Sequence, residues 1–168
     1  GFVLPASIDK CISLAIVPNG TSTVNLYSID YDESVFFDVD GEKPKQQWAS
    51  YVYGVIQEMK KRGASPGGFD AVFGGDIPLG AGMSSSAALE SVFGTALNTI
   101  FKLGFDKREL AKIGQMTEHN YVGVRCGIMD QFASLFGEAG KVIRLDCRSL
   151  EYELFPFEPE GIRLVLID

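Results

Sequence analysis

The sequence is poor in the groups on which most metal and nucleophilic chemistry relies, with one histidine, one tryptophan and three cysteines among 168 residues. Cys11, Cys126 and Cys147 are widely spaced and form no CxxC pair. Free thiols in a reducing, cytoplasmic setting are therefore the expectation, and a zinc site has almost nothing to build from. Positive charge is in the minority, 15 Lys and Arg against 22 Asp and Glu, for a net charge of −7. That balance argues against nucleic acid or an anionic membrane as a partner, although a local positive pocket could still take a nucleotide. No apolar run approaches the roughly 20 residues that a membrane span needs. Internal repeats, low-complexity segments and an evident linker are also missing, so a single domain over residues 1–168 is expected. The chain opens at Gly1 without a Met and stops at Asp168 just after a strand-like Arg163 to Ile167. It is therefore expected to be part of a longer enzyme, truncated at both ends and inactive on its own.

What the chain does hold is 46% hydrophobic content, ordinary for a globular protein and enough for a core at this length. Val3 to Val17, Thr23 to Ile29 and Ser34 to Val39 read as strands, with turns at Pro18-Asn-Gly-Thr21 and Asp30-Tyr-Asp-Glu33. The period then becomes helical. Trp48, Tyr51, Val52, Val55, Ile56 and Met59 fall on one stripe that ends at Arg62-Gly63. Phe69 to Gly75 is a short strand, and a helix from about Ser84 to Leu103 follows, with Ala88, Val92, Ala96 and Ile100 as its expected packing line. Asp106 and Glu109 form a capping box for a third helix, which carries Leu110, Ile113, Met116 and Thr117 and is expected to hold Thr117 to Asn120 late in its length. Ile128 to Phe136 reads as helix, and Lys141 to Leu145, Glu151 to Phe155 and Arg163 to Ile167 as strands. Strands, then helices, then strands again, without regular alternation, predict an α+β fold.

The most specific string is Asp76-Ile-Pro-Leu-Gly-Ala-Gly-Met-Ser-Ser-Ser-Ala-Ala-Leu-Glu90. It joins a strand to a helix through glycines and hydroxyls, so the free N–H groups of Gly80 to Ser86 and the positive end of a helix dipole are expected to face one cavity, which suits a phosphate. It is not a Walker A loop, because no Lys follows the glycines, and Ser85 stands where a dinucleotide fingerprint needs its third Gly. One serine would satisfy a helix cap; three in a row exceed that need. Glu118 and Asp130, twelve residues apart, are the acids of a stretch otherwise poor in charge, with His119 beside the first.

Gly80-Ala-Gly-Met-Ser-Ser-Ser-Ala87 closely resembles the phosphate-binding motif of the GHMP kinases (galactose, homoserine, mevalonate and phosphomevalonate kinases), in its galactokinase form. The likeness extends to Gly1 to Ile8, to Gln47 to Ile56, to the Glu118-His119 pair followed by Gly127-Ile-Met-Asp-Gln131, and to Ile143 to Leu150. The resemblance implies a ribosomal-protein-S5-domain-2-like fold and ATP- and Mg²⁺-dependent phosphorylation of galactose at O1. It further implies that Gly80, Ala81, Gly82, Met83, Ser84, Ser85 and Ser86 hold the nucleotide phosphates, that Ser86 and Glu118 share Mg²⁺, and that Asp130 meets the sugar hydroxyl. Whether Asp130 removes the proton or orients the hydroxyl stays open. Trp48 is expected either beside the adenine or as a core anchor, and His119 as a packed or surface imidazole without a catalytic role. A kinase for a related sugar such as N-acetylgalactosamine, or a non-catalytic galactose- and ATP-binding sensor, are the alternatives.

Overall fold

The structure is a computed structural model that describes residues 1–78, 82–158 and 161. Seven strands and four α-helices follow in the order β1 (Phe2–Val3), β2 (Ile12–Pro18), β3 (Thr23–Ser28), β4 (Glu33–Asp38), α1 (Gln47–Lys61), β5 (Phe69–Gly75), α2 (Ser85–Ile100), α3 (Lys107–Thr117), α4 (Met129–Phe136), β6 (Lys141–Asp146) and β7 (Tyr152–Pro156). They form the predicted α+β arrangement. One sheet has the order β2-β5-β3-β4, with β3 parallel to β5 and its other pairs antiparallel; the second has the order β1-β6-β7. The predicted strand at Arg163 to Ile167 lies outside the described residues.

Alternation explains the larger sheet. Val24 and Leu26 of β3, Val35 and Phe37 of β4, and Phe69, Ala71 and Phe73 of β5 point inward and are buried. The predicted stripe of α1 covers them, with Trp48, Val52, Val55, Ile56 and Met59 buried. Phe93 of α2 meets Phe73 edge-on at 5.4 Å between ring centroids. A second cluster joins Phe132 of α4 to Ile143 and Leu145 of β6.

Three expectations need correction. Val3 to Val17 is not one strand but β1 and β2, which lie in different sheets. Pro5 has no N–H to give a ladder, and residues around it are used otherwise: Ile143 N donates to Pro5 O at 2.8 Å, and Ser7 Oγ to Ala133 O at 2.7 Å. On α2, Ala88, Val92, Ala96 and Ile100 are only half-buried. The core takes the neighbouring line of larger side chains, Leu89, Phe93 and Leu97, because these bury more apolar area. Finally, α3 carries the predicted capping box, Glu109 N donating to Asp106 Oδ1 at 2.8 Å and Asp106 N to Glu109 Oε2 at 2.9 Å. It stops at Thr117, however, and Glu118–Val122 form one π-helical turn. Gly123, at φ +87°, closes it by donating to Glu118 O at 2.8 Å.

Candidate active site

The Gly/Ser turn leaves β5 at Gly75 and delivers the chain to α2. Its approach is anchored at Asp76. Cys11 N donates to Asp76 Oδ1 at 2.8 Å, and Lys10 Nζ to Asp76 Oδ2 at 3.0 Å. Gly80 and Ala81 lie outside the described residues. Ser84 precedes the helix in the left-handed region, at φ 56° and ψ 42°, and makes no side-chain cap to it. The capping explanation for this serine is thereby removed. Its hydroxyl donates instead to Asp130 Oδ2 at 2.7 Å.

Asp130 occupies the first turn of α4, so the hydrogen bond links the beginnings of two helices that are distant in sequence. Both residues line a cavity of about 610 Å³, together with Gly82, Met83, Lys10 and Ser7. Ser85 and Ser86 do not share it. They line a second cavity of about 440 Å³ with Asp30, Tyr31, Trp48, Tyr51 and Phe73. The described part of the turn therefore faces two cavities, where the sequence suggested a single one. They divide between Ser84 and Ser85, and Ile12 lines both.

Trp48 is a core anchor that also faces a cavity. It is 6% exposed and packs on Phe73, yet it also walls the second cavity. Its Nε1 donates to Glu33 Oε2 at 2.9 Å, and Tyr31 stacks against it at 6.2 Å. Burial, with the charges of Glu118 and Glu90 nearby, pushes the Tyr51 phenol up to about 12. Tyr51 thus remains a neutral hydroxyl at the cavity wall and feels the acid on the π-turn.

Glu118 is 5% exposed, and among the described residues neither an ion pair nor a hydrogen bond reaches its carboxylate. A carboxylate that no protein donor occupies is a ready ligand for a hard cation. Among the described residues no group of three or more His, Cys, Asp and Glu gathers to cage a metal. One carboxylate and one hydroxyl instead suit Mg²⁺, which keeps several waters and takes substrate phosphates as ligands. Ser86 faces the second cavity, and Tyr51 links that cavity to the surroundings of Glu118.

The sequence reading missed Glu90, which lies within the apolar run of α2. It is 2% exposed and accepts a hydrogen bond from Gln131 Nε2 at 3.1 Å. Burial pushes its acid up to about 9; the Glu118 charge adds to this and the Gln131 bond opposes it. The signal was an acid among Ala87, Ala88, Leu89, Val92 and Phe93, where a charge has no ready place. His119 sits as expected for a structural imidazole, with Nε2 2.8 Å from Cys126 O. All three cysteines are free. Among the described residues no helix is long and apolar enough to cross a membrane.

Comparisons with known proteins bear on the family and the fold. The GHMP kinases N-terminal domain matches residues 50–138, more than half of the chain. Among solved structures, Lactococcus lactis galactokinase complexed with galactose superposes with a TM-score of 0.89 at 39% identity, covering 94% of this chain and 42% of that one. A D-glycero-D-manno-heptose 1-phosphate kinase from Bacteriodes thetaiotaomicron matches with a TM-score of 0.74 at 19% identity, over 94% of this chain and 51% of its own. Streptococcus pneumoniae phosphomevalonate kinase, in complex with phosphomevalonate and AMPPNP, matches with a TM-score of 0.63 at 15% identity, over 89% and 50%. The last two likenesses speak for the fold alone. The chain spans less than half the length of the galactokinase it matches. With the glycine–serine turn, the α+β fold and the family match all in agreement, the chain belongs to the GHMP kinases.

Proposed function

We propose that the protein carrying this chain phosphorylates galactose at O1, using ATP, as a cytoplasmic sugar kinase. The observation that carries the reading is the 2.7 Å hydrogen bond from Ser84 to Asp130 in a cavity wide enough for a hexose. The likeness to a galactose-bound galactokinase supports the choice of sugar.

In this reading the sugar occupies the larger cavity and Asp130 accepts the hydrogen bond of its O1 hydroxyl. Ser84 occupies one carboxylate oxygen and leaves the other to the sugar, which fixes the hydroxyl's approach. The adenine enters the second cavity beside Trp48 and Tyr31. The phosphates run along the Gly80 to Ser86 segment to the start of α2, where the N–H groups of a helix's first turn and its dipole favour negative charge. Mg²⁺, held by Ser86 and Glu118 with the phosphates, would neutralise charge on the transferring group. The sugar O1 bonds to the γ-phosphorus while the bond from that phosphorus to the β–γ bridging oxygen breaks. The hydroxyl proton leaves by way of Asp130, and ADP departs. Positioning and charge stabilisation account for most of the acceleration in such transfers.

The test is to supply the intact protein with ATP, Mg²⁺ and, in turn, galactose, N-acetylgalactosamine and mevalonate, following products by ³¹P NMR. Galactose 1-phosphate as the preferred product supports the reading. Preference for N-acetylgalactosamine would move the specificity, and no turnover on any acceptor with ATP still bound would favour a sensor.

A further inference from the structure

Glu58, on the last full turn of α1, is a second buried acid that the reading above leaves without a role. It is 3% exposed and takes three side-chain donors: Asn120 Nδ2 at 2.8 Å, Lys61 Nζ at 2.8 Å and Arg62 Nη1 at 2.7 Å. Lys61 is the last residue of its own helix and Arg62 caps that helix. The third, Asn120, belongs to the π-turn that begins at Glu118. An exposed asparagine reaching a buried carboxylate joins the surface of that turn to the interior of the fold.

Further contacts seat the same turn on the same helix. Lys61 Nζ lies 4.9 Å above the Tyr121 ring and Tyr53 meets Tyr121 edge-on at 5.7 Å, while Lys43, in the loop before α1, donates from Nζ to Tyr121 O at 3.0 Å. Gly54 makes the approach possible: a Cβ there would stand 2.5 Å from Thr117 Cγ2 and 3.1 Å from Tyr121 Cδ2. Isolated π-turns are uncommon and tend to occur at functional positions, and holding one takes compensating contacts. Here the contacts converge on the residues just after the unpartnered Glu118. Its carbonyl accepts from both Gly123 N at 2.8 Å and Val124 N at 3.0 Å, so the regular ladder of α3 ends at this residue.

We propose that Glu58 is a positioning residue for Glu118, acting through Asn120 to lock the π-turn against α1 and so aim the Glu118 carboxylate at the metal. The proposal rests on the reading of Glu118 as a metal ligand. Groups that orient a ligand from behind commonly change metal affinity by about 10–100-fold when removed.

The experiment measures ATP binding to the intact protein by titration calorimetry, with Mn²⁺ as the metal probe and again in EDTA. The readout is the ratio of the two affinities. Asn120→Leu and Glu58→Leu should each lower the ratio about tenfold while leaving metal-free ATP binding within about twofold. The double variant should be little worse than either single one, because both remove the same link. Asn120 is exposed, so its variant keeps the test available even if Glu58→Leu fails to fold. Arg62→Ala, which removes a different Glu58 partner, should leave the ratio unchanged. An equal fall in Arg62→Ala would reduce Glu58 to a structural role and overturn the proposal. A ratio that falls in Glu118→Gln but not in Asn120→Leu would overturn it as well, with the ligand reading intact. No fall in Glu118→Gln would remove the ligand reading, and this inference with it.

Discussion

Ser84 Oγ donates to Asp130 Oδ2 at 2.7 Å across 46 positions of sequence, from a backbone held at φ 56°. A left-handed conformation costs a non-glycine residue about 1–2 kcal/mol, whereas glycine takes it freely. The serine therefore sits where glycine would be easier, and its hydroxyl is what the position gains. Ser84→Gly should relieve the strain and lose a hydrogen bond of about 1 kcal/mol, two effects that offset. Its melting temperature should stay within a few degrees of wild type while turnover falls. Ser84→Ala keeps the strain and loses the bond, so it should be less stable than Ser84→Gly by about 1 kcal/mol. Thermal denaturation beside steady-state kinetics separates the two. Full activity in Ser84→Gly would mean that the hydrogen bond has no part in turnover.

Asp130→Asn keeps the shape and can still accept from Ser84, but it loses the charge and the proton-accepting capacity. The loss should fall on kcat, by about 10²–10⁴-fold, with the KM for ATP nearly unchanged. A raised KM for the sugar with kcat retained would make Asp130 a binding group only.

Much of the fold was legible in the sequence because local rules and the tertiary packing agree there. The Asp106–Glu109 capping box and the α1 stripe are short-range patterns, and both are present. The readings that failed depend on partners distant in the chain. The division of Val3 to Val17 between two sheets follows from Pro5 and Ser7 meeting β6 and α4, which no local pattern contains. Choosing Leu89, Phe93 and Leu97 over Ala88, Val92 and Ala96 required knowing which face of α2 meets the β5 aromatics. The π-turn at Glu118 depends on α1, and Glu90 and Glu58 gain meaning only from Gln131 and Asn120.

Gly54 sits in the interior of α1, where Ala would ordinarily be the better helix former by about 1 kcal/mol. Here Gly54→Ala should instead destabilise, because the new Cβ would stand 2.5 Å from Thr117 Cγ2. Overpacking of this kind costs about 1–3 kcal/mol, so a fall of several degrees in melting temperature is expected. An unchanged or raised melting temperature would show that α1 and the π-turn are not in close contact.

Trp48 is the single tryptophan of these 168 residues, so its emission, with any tryptophan elsewhere in the protein replaced by Phe, reports on one cavity. Adding ATP to the protein should change its emission, and galactose alone should not, since the sugar is assigned to the other cavity. Tyr31→Ala should weaken the ATP response, because Tyr31 stacks on Trp48 at the cavity wall. A response to galactose equal to that for ATP would reverse the assignment of the two cavities.

Glu90 makes a pH dependence that can be signed in advance. Burial is the main cause that raises its acid from 4.5 to about 9, the Glu118 charge adds to the rise, and the bond from Gln131 opposes it. The folded state then holds a proton that the unfolded chain releases. The resulting stabilisation is fully present below the unfolded value of 4.5 and is lost as pH rises toward about 9. Between these limits the slope for one proton is about 1.4 kcal/mol per pH unit, with stability falling as pH rises. Tyr51 and Cys126 also lie near these acids, but both are pushed up by burial and the two nearby acids, so they remain uncharged at neutral pH. Glu90→Gln removes the titration while keeping side-chain size and a hydrogen-bonding amide for Gln131. Urea denaturation from pH 5 to 8 should therefore show the variant gaining on wild type steadily as pH rises. If the difference between the two proteins is the same at every pH, Glu90 carries no proton in the folded state, and the neutral contact between α2 and α4 is wrong.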